Sequence, residues 1–123
     1  MKKLLFTLAL IFPLVGIAQD CQDFKTGTFR LKDEAGNYVP NYSIVRKKNL
    51  QIETIGENYI KTKVVWIDGC TYELILIKSD ILDVPKGTVT RVKSTSTLEG
   101  GYKGAGTSEV TEGIVNFTMY KVD

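Results

Sequence analysis

The sequence has no histidine, two cysteines, three prolines and one tryptophan among 123 residues. Without histidine, the Ser-His-Asp and Cys-His arrangements of nucleophilic catalysis are excluded. Two cysteines cannot complete a zinc site, so no metal is expected, and no motif implies a cofactor. Beyond residue 18, no apolar run is long enough to cross a bilayer. A sustained apolar repeat near 3.6 residues is also missing, which leaves amphipathic helices without support.

What is present begins with a leader. "MKKLLFTLALIFPLVGIA" has a basic start at Lys2 and Lys3, an apolar run broken by Pro13, and small residues at Gly16 and Ala18. This predicts a secretory signal peptide over 1–18 and one mature domain over 19–123, periplasmic or extracellular after cleavage. Cys21 is preceded by Gln19 and Asp20, where a lipid-anchor signal needs small residues. The leader takes Lys2 and Lys3 from the 16 basic residues, so the mature chain balances at 14 basic against 14 acidic. A chain without net charge or a basic face is not built to bind nucleic acid. In an oxidising compartment an even cysteine count in a small domain predicts one disulfide, Cys21–Cys70.

Short segments rich in Val, Ile, Thr, Tyr and Phe, separated by Gly, Asn and Asp, predict an all-β domain. Strands are expected near 24–32, 41–47, 49–55, 59–67, 70–78, 87–96 and 109–122, the last bending near Gly113. Connections are expected at 33–40, 79–86 and 98–108. Three-residue loops at 47–49, 56–58 and 67–69 align Tyr42, Ile44, Leu50, Ile52, Ile60, Val64, Trp66, Tyr72 and Leu74 on one apolar face, with Trp66 opposite Cys70. Gln51, Glu53, Lys61, Lys63 and Glu73 fall on the other face, and Arg46 and Glu53 on neighbouring strands. With no helix to cover it, the apolar face must be closed by Phe29, Leu31, Val115, Phe117 and Met119. That predicts a small antiparallel meander closing into a barrel, or else a flattened two-sheet sandwich.

"GYKGAGTS" at 101–108 is one lysine short of a phosphate-binding loop, since Thr107 stands where the lysine belongs. The Val- and Thr-rich residues after it do not start a helix, so no nucleotide is expected and the stretch reads as a glycine-rich loop. Asp80 with Asp83, and Glu109 with Glu112, are carboxylate pairs by sequence, but solvated loop or strand charges explain them more simply than acid–base chemistry does; no enzyme is expected. Tyr42, Trp66 and Tyr72 are candidates for lining a ligand pocket, but as core aromatics beside a disulfide they need no ligand, and the core reading is preferred. In "TVTRVKSTST" neither face is apolar, so a barrel that uses this strand has a partly polar interior or a peripheral edge.

The segments "CQDFKTGTFRL", "YSIVRKKNLQIE" and "VVWIDGCTYEL" resemble a group of small exported proteins of Bacteroidota-type bacteria. The likeness spans about residues 21–77 and carries no activity with it. Some members of that group bear the name of DNA topoisomerase IV, for which this chain has neither a nucleotide loop, nor a basic groove, nor the length. "GTF" at 27–29 is also similar to the Gly-x-Trp opening of lipocalins, with Phe29 in place of tryptophan. The resemblance implies a lipocalin-like barrel. The expected function is an exported barrel binding a small apolar or amphipathic ligand. The alternative is an envelope interaction or structural domain with a filled core, partnered by an envelope protein.

Overall fold

A computed structural model describes residues 21–123; the leader expected over 1–18 lies outside the described residues. The β-branched and aromatic segments form eight strands: β1 Gly27–Lys32, β2 Tyr42–Arg46, β3 Leu50–Ile55, β4 Asn58–Trp66, β5 Thr71–Ser79, β6 Val89–Leu98, β7 Gly101–Ser108 and β8 Val115–Lys121. Each pairs antiparallel with its neighbour in sequence, and β8 returns to β1, so the sheet closes into a barrel rather than splitting into a sandwich. Closure leaves no strand edge unpaired. Register shifts in β4 between Lys61 and Thr62, and in β6 between Ser94 and Ser96, supply the local bends that a small barrel needs.

The hairpin at 67–70 is deeper than expected. Trp66 pairs with Tyr72, not Cys70, because Ile67 and Thr71 extend the hairpin by one hydrogen bond and Asp68 Oδ1 accepts the Cys70 N–H at 2.8 Å. The change is two residues in register, so parity survives: Val64 now opposes Leu74 rather than Tyr72, and the three still share the inner face. At both ends of β3 the expected three-residue loops are wrong. Arg46 pairs with Gln51 around Lys48-Asn49, and Ile55 pairs with Asn58 around Gly56-Glu57. Gly56 takes φ +61°, the left-handed geometry that a Gly-first two-residue hairpin uses. The two even turns invert β3 alone. Gln51 and Glu53 face inward, Leu50 and Ile52 outward, and Tyr42 and Ile44 stay inside because the errors cancel across β3.

The stretch 101–108 is a strand, not a loop. It turns back from β6 at Glu99-Gly100, with Gly100 at φ +79°. Its glycines make room for aromatic rings. A Cβ on Gly104 would lie 2.5 Å from Phe117 Cζ, and one on Gly101 would meet the Met119 carbonyl and the Tyr120 ring. Covering bare glycine backbone with aromatic faces is a known way to hold register in a barrel.

At the end of the barrel formed by the 47–49, 67–70 and 99–100 turns, a 3-10 turn at Gln22–Phe24 closes the opening. Cys21 is buried and bonded to Cys70, their Cα atoms 5.3 Å apart, which fixes this plug to the β4–β5 turn. Phe24, Phe29, Ile44, Tyr102 and Met119 form the core above it.

Candidate functional site

The barrel has two unlike halves. In the closed half, alternation along β2 sends Tyr42, Ile44 and Arg46 inward together, and Arg46 is 1% exposed. Its Nε donates to Gln51 Oε1 at 2.8 Å and its Nη1 to the Phe24 carbonyl at 2.8 Å. Nη2 donates to the hydroxyls of Tyr72 at 3.0 Å and Tyr102 at 3.2 Å. Those hydroxyls lie 3.0 Å from each other, and the guanidinium sits 4.9 Å from the Phe29 ring centre and 4.6 Å from that of Tyr72. Burial works against the guanidinium charge, but Tyr72 and Tyr102 together outweigh it and hold the Arg46 pKa above its ordinary value. Burial, reinforced by Tyr102, pushes the Tyr72 hydroxyl well up, against the opposing pull of Arg46. The result is a cation sealed among neutral acceptors, with no buried side-chain polar atom left unsatisfied among the described residues.

The other half holds a cavity of about 510 Å³. Its walls are aliphatic and aromatic: Ile60, Leu74, Leu76, Val92 and Phe117. Thr62, Thr88, Thr90 and Ser108 add hydroxyls, so "TVTRVKSTST" contributes a polar strip to the interior. Gly106 lines the wall, and a Cβ built there would make only ordinary contact, its nearest neighbour being Thr90 Cγ2 at 3.8 Å. The mouth lies between the 80–88 and 109–114 loops, where Leu82, Val110 and Val115 both line the cavity and are 44%, 47% and 70% exposed.

Among the described residues one charged side chain lines this cavity, Glu53. Tyr42 donates its hydroxyl to Glu53 Oε1, and Gln51 Nε2 donates to Glu53 Oε2 at 3.4 Å. Burial first, and then the adjacent Glu53 carboxylate, raise the Tyr42 hydroxyl far above the usual tyrosine range. Arg46 and Glu53 do not meet: Gln51 stands between them and bonds both.

Of the residues expected to line a pocket, Tyr42 and Tyr72 do so and Trp66 does not. Its ring lies 4.8 Å from that of Tyr72, under Lys25 Nζ at 4.9 Å, toward the plugged end. Gln51 and Glu53 were missed as interior residues; the Gly56-Glu57 pair, a two-residue turn signature, was the signal that could have placed them. Among the described residues no group of His, Cys, Asp and Glu could hold a metal ion. No helix among them is long and apolar enough to cross a membrane. Comparison with known protein families, with curated proteins and with solved structures finds no match.

Proposed function

We propose that this chain is an exported β-barrel that binds a small apolar or amphipathic molecule inside the barrel. The observation that carries the reading is the 510 Å³ cavity, with aliphatic walls and an exposed mouth. Its size falls within the range of small-molecule sites, about 300–1,000 Å³. Eight-stranded barrels are just wide enough either to fill with side chains or to hold one small ligand. An interaction domain with a filled core would need side-chain volume where this cavity lies. The disulfide supports export, because such bonds persist in oxidising compartments. The cyclic strand order and the Gly27-Thr28-Phe29 opening support a lipocalin-like carrier in particular.

Native mass spectrometry of protein purified from its own host should show a co-purifying small molecule. A neutral apolar fluorophore, N-phenyl-1-naphthylamine, should bind the purified protein, and Gly106→Leu should weaken it by about tenfold or more by occupying the cavity. Failure of the wild-type protein to bind the fluorophore, or undiminished binding by Gly106→Leu, would overturn the reading.

A further inference from the structure

We infer that the cavity selects amphipathic molecules with a cationic head, an organic amine on an apolar body, and that Glu53 receives the head. The inference rests on the cavity-binding reading above and goes on to name the ligand's chemistry.

The interior carries two opposite charges that are held apart. Arg46 is sealed in the closed half and does not line the cavity, while Glu53 lines it. Gln51 bridges them, accepting from Arg46 and donating to Glu53. The ligand space therefore faces the negative end of this arrangement. Glu53 receives one hydrogen bond from a tyrosine and one long one from an amide, whereas a carboxylate has about four acceptor positions. Among the described residues the one salt bridge is Arg91–Glu73 on the outer surface, so Glu53 has no direct ion-pair partner, and Arg46 reaches it only through Gln51. A carboxylate in an apolar cavity without a counter-charge favours a ligand that brings one. The long apolar walls suit an organic cation rather than a metal ion.

The loops at the mouth point the same way by a separate route. The four connections at that end, 33–41, 56–57, 80–88 and 109–114, contain Asp33, Glu34, Glu57, Asp80, Asp83, Glu109 and Glu112 against a single lysine, Lys86. Arg30, Lys32, Lys61 and Lys78 stand on the adjoining strands, Arg30 donating to the Val39 carbonyl of the 33–41 connection at 3.3 Å, so the imbalance lies in the loops themselves. Three of these carboxylates are fixed by backbone N–H groups: Asp33 by Asn37 at 2.9 Å, Asp80 by Tyr59 at 2.8 Å and Glu109 by Val89 at 3.0 Å. An entrance rich in one sign of charge raises the local concentration and on-rate of ligands of the other sign.

The test is displacement of N-phenyl-1-naphthylamine from the disulfide-bonded protein by decylamine, decanol and decanoate, which share one chain length. Decylamine should bind about tenfold or more tighter than decanoate, and its association rate should fall as salt is raised. Glu53→Gln should weaken decylamine by about tenfold and bring its affinity to within about twofold of decanoate's. The comparison on wild-type protein needs no variant, so it decides the matter even if Glu53→Gln does not fold. If fluorophore and decanol bind but decanoate equals decylamine, the head-group inference is overturned and the cavity reading stands. If none of the probes binds, both are overturned.

Discussion

Arg46→Met removes the cation around which the closed end is organised and keeps an unbranched side chain in its place. Two acceptors then lose a buried partner: the Phe24 carbonyl and Gln51 Oε1, each 2.8 Å from the guanidinium. A buried polar group left without a partner costs about 1–3 kcal/mol, so the two sum to about 2–6 kcal/mol. The Tyr72 and Tyr102 hydroxyls lose less, because they keep each other at 3.0 Å. Methionine also spares the desolvation of a charge, which sets the expectation toward the lower half, about 3 kcal/mol. A domain of this size has about 5–15 kcal/mol to lose, so the variant should still fold. Equilibrium guanidinium unfolding measures the loss, followed by the fluorescence of Trp66, the single tryptophan, whose ring lies 4.8 Å from Tyr72. Adding Gln51→Leu removes one of the two orphaned acceptors and should recover about 1 kcal/mol, appearing as non-additivity in the double-variant cycle. A loss below about 1 kcal/mol for Arg46→Met, or a double variant that is simply additive, would refute the claim that unsatisfied acceptors set the cost.

Reducing the Cys21–Cys70 bond, which closes a loop with a sequence separation of 49, should cost about 4 kcal/mol on the chain-entropy account; thermal unfolding with and without reductant reads the difference, and an unchanged Tm would contradict it. Stability should fall above pH 10, because Tyr72 keeps its proton in the folded state while an unfolded tyrosine releases its own. The folded state then binds more protons than the unfolded one, so the slope is negative, about 1.4 kcal/mol per pH unit for Tyr72, with Tyr42 adding to it. Denaturation midpoints at pH 9, 10 and 11 test this, and a flat profile above pH 10 would count against the buried hydroxyls.

Much of the barrel was legible in side-chain alternation. Phe29, Leu31, Phe117 and Met119 could only face inward, and Val64 and Leu74 stayed together under a two-residue change of register. Where polarity contradicted position, alternation misled. Gln51 and Glu53 look like solvent-facing residues, and Leu50 and Ile52 look like core. Turn geometry decides the matter, and the interior accepts the polar pair because Arg46 and Tyr42 are there to bond it. Strand β7 was hidden for another reason. Glycine carries no side chain to alternate, so the pattern in "GYKGAGTS" resides in its neighbours, Tyr120 over Gly101 and Phe117 over Gly104. The cavity itself was only half legible: a strand with no apolar face hinted at polar interior surface, but empty volume depends on all eight strands at once.

The seam between β1 and β8 also governs the order in which the molecule can assemble. Neighbouring hairpins from β2 to β7 can zip locally as they emerge, whereas the contact of Phe29 with Lys121 joins the two extremes of the domain. Such a long-range contact bears the largest loop-closure entropy in the fold and is expected to form late. Phe117 and Met119 arrive on that final strand, so one wall of the interior is missing until the seam is made. Nascent protein is therefore an open, curling sheet, and a chamber able to enclose a guest exists only once the last strand has docked.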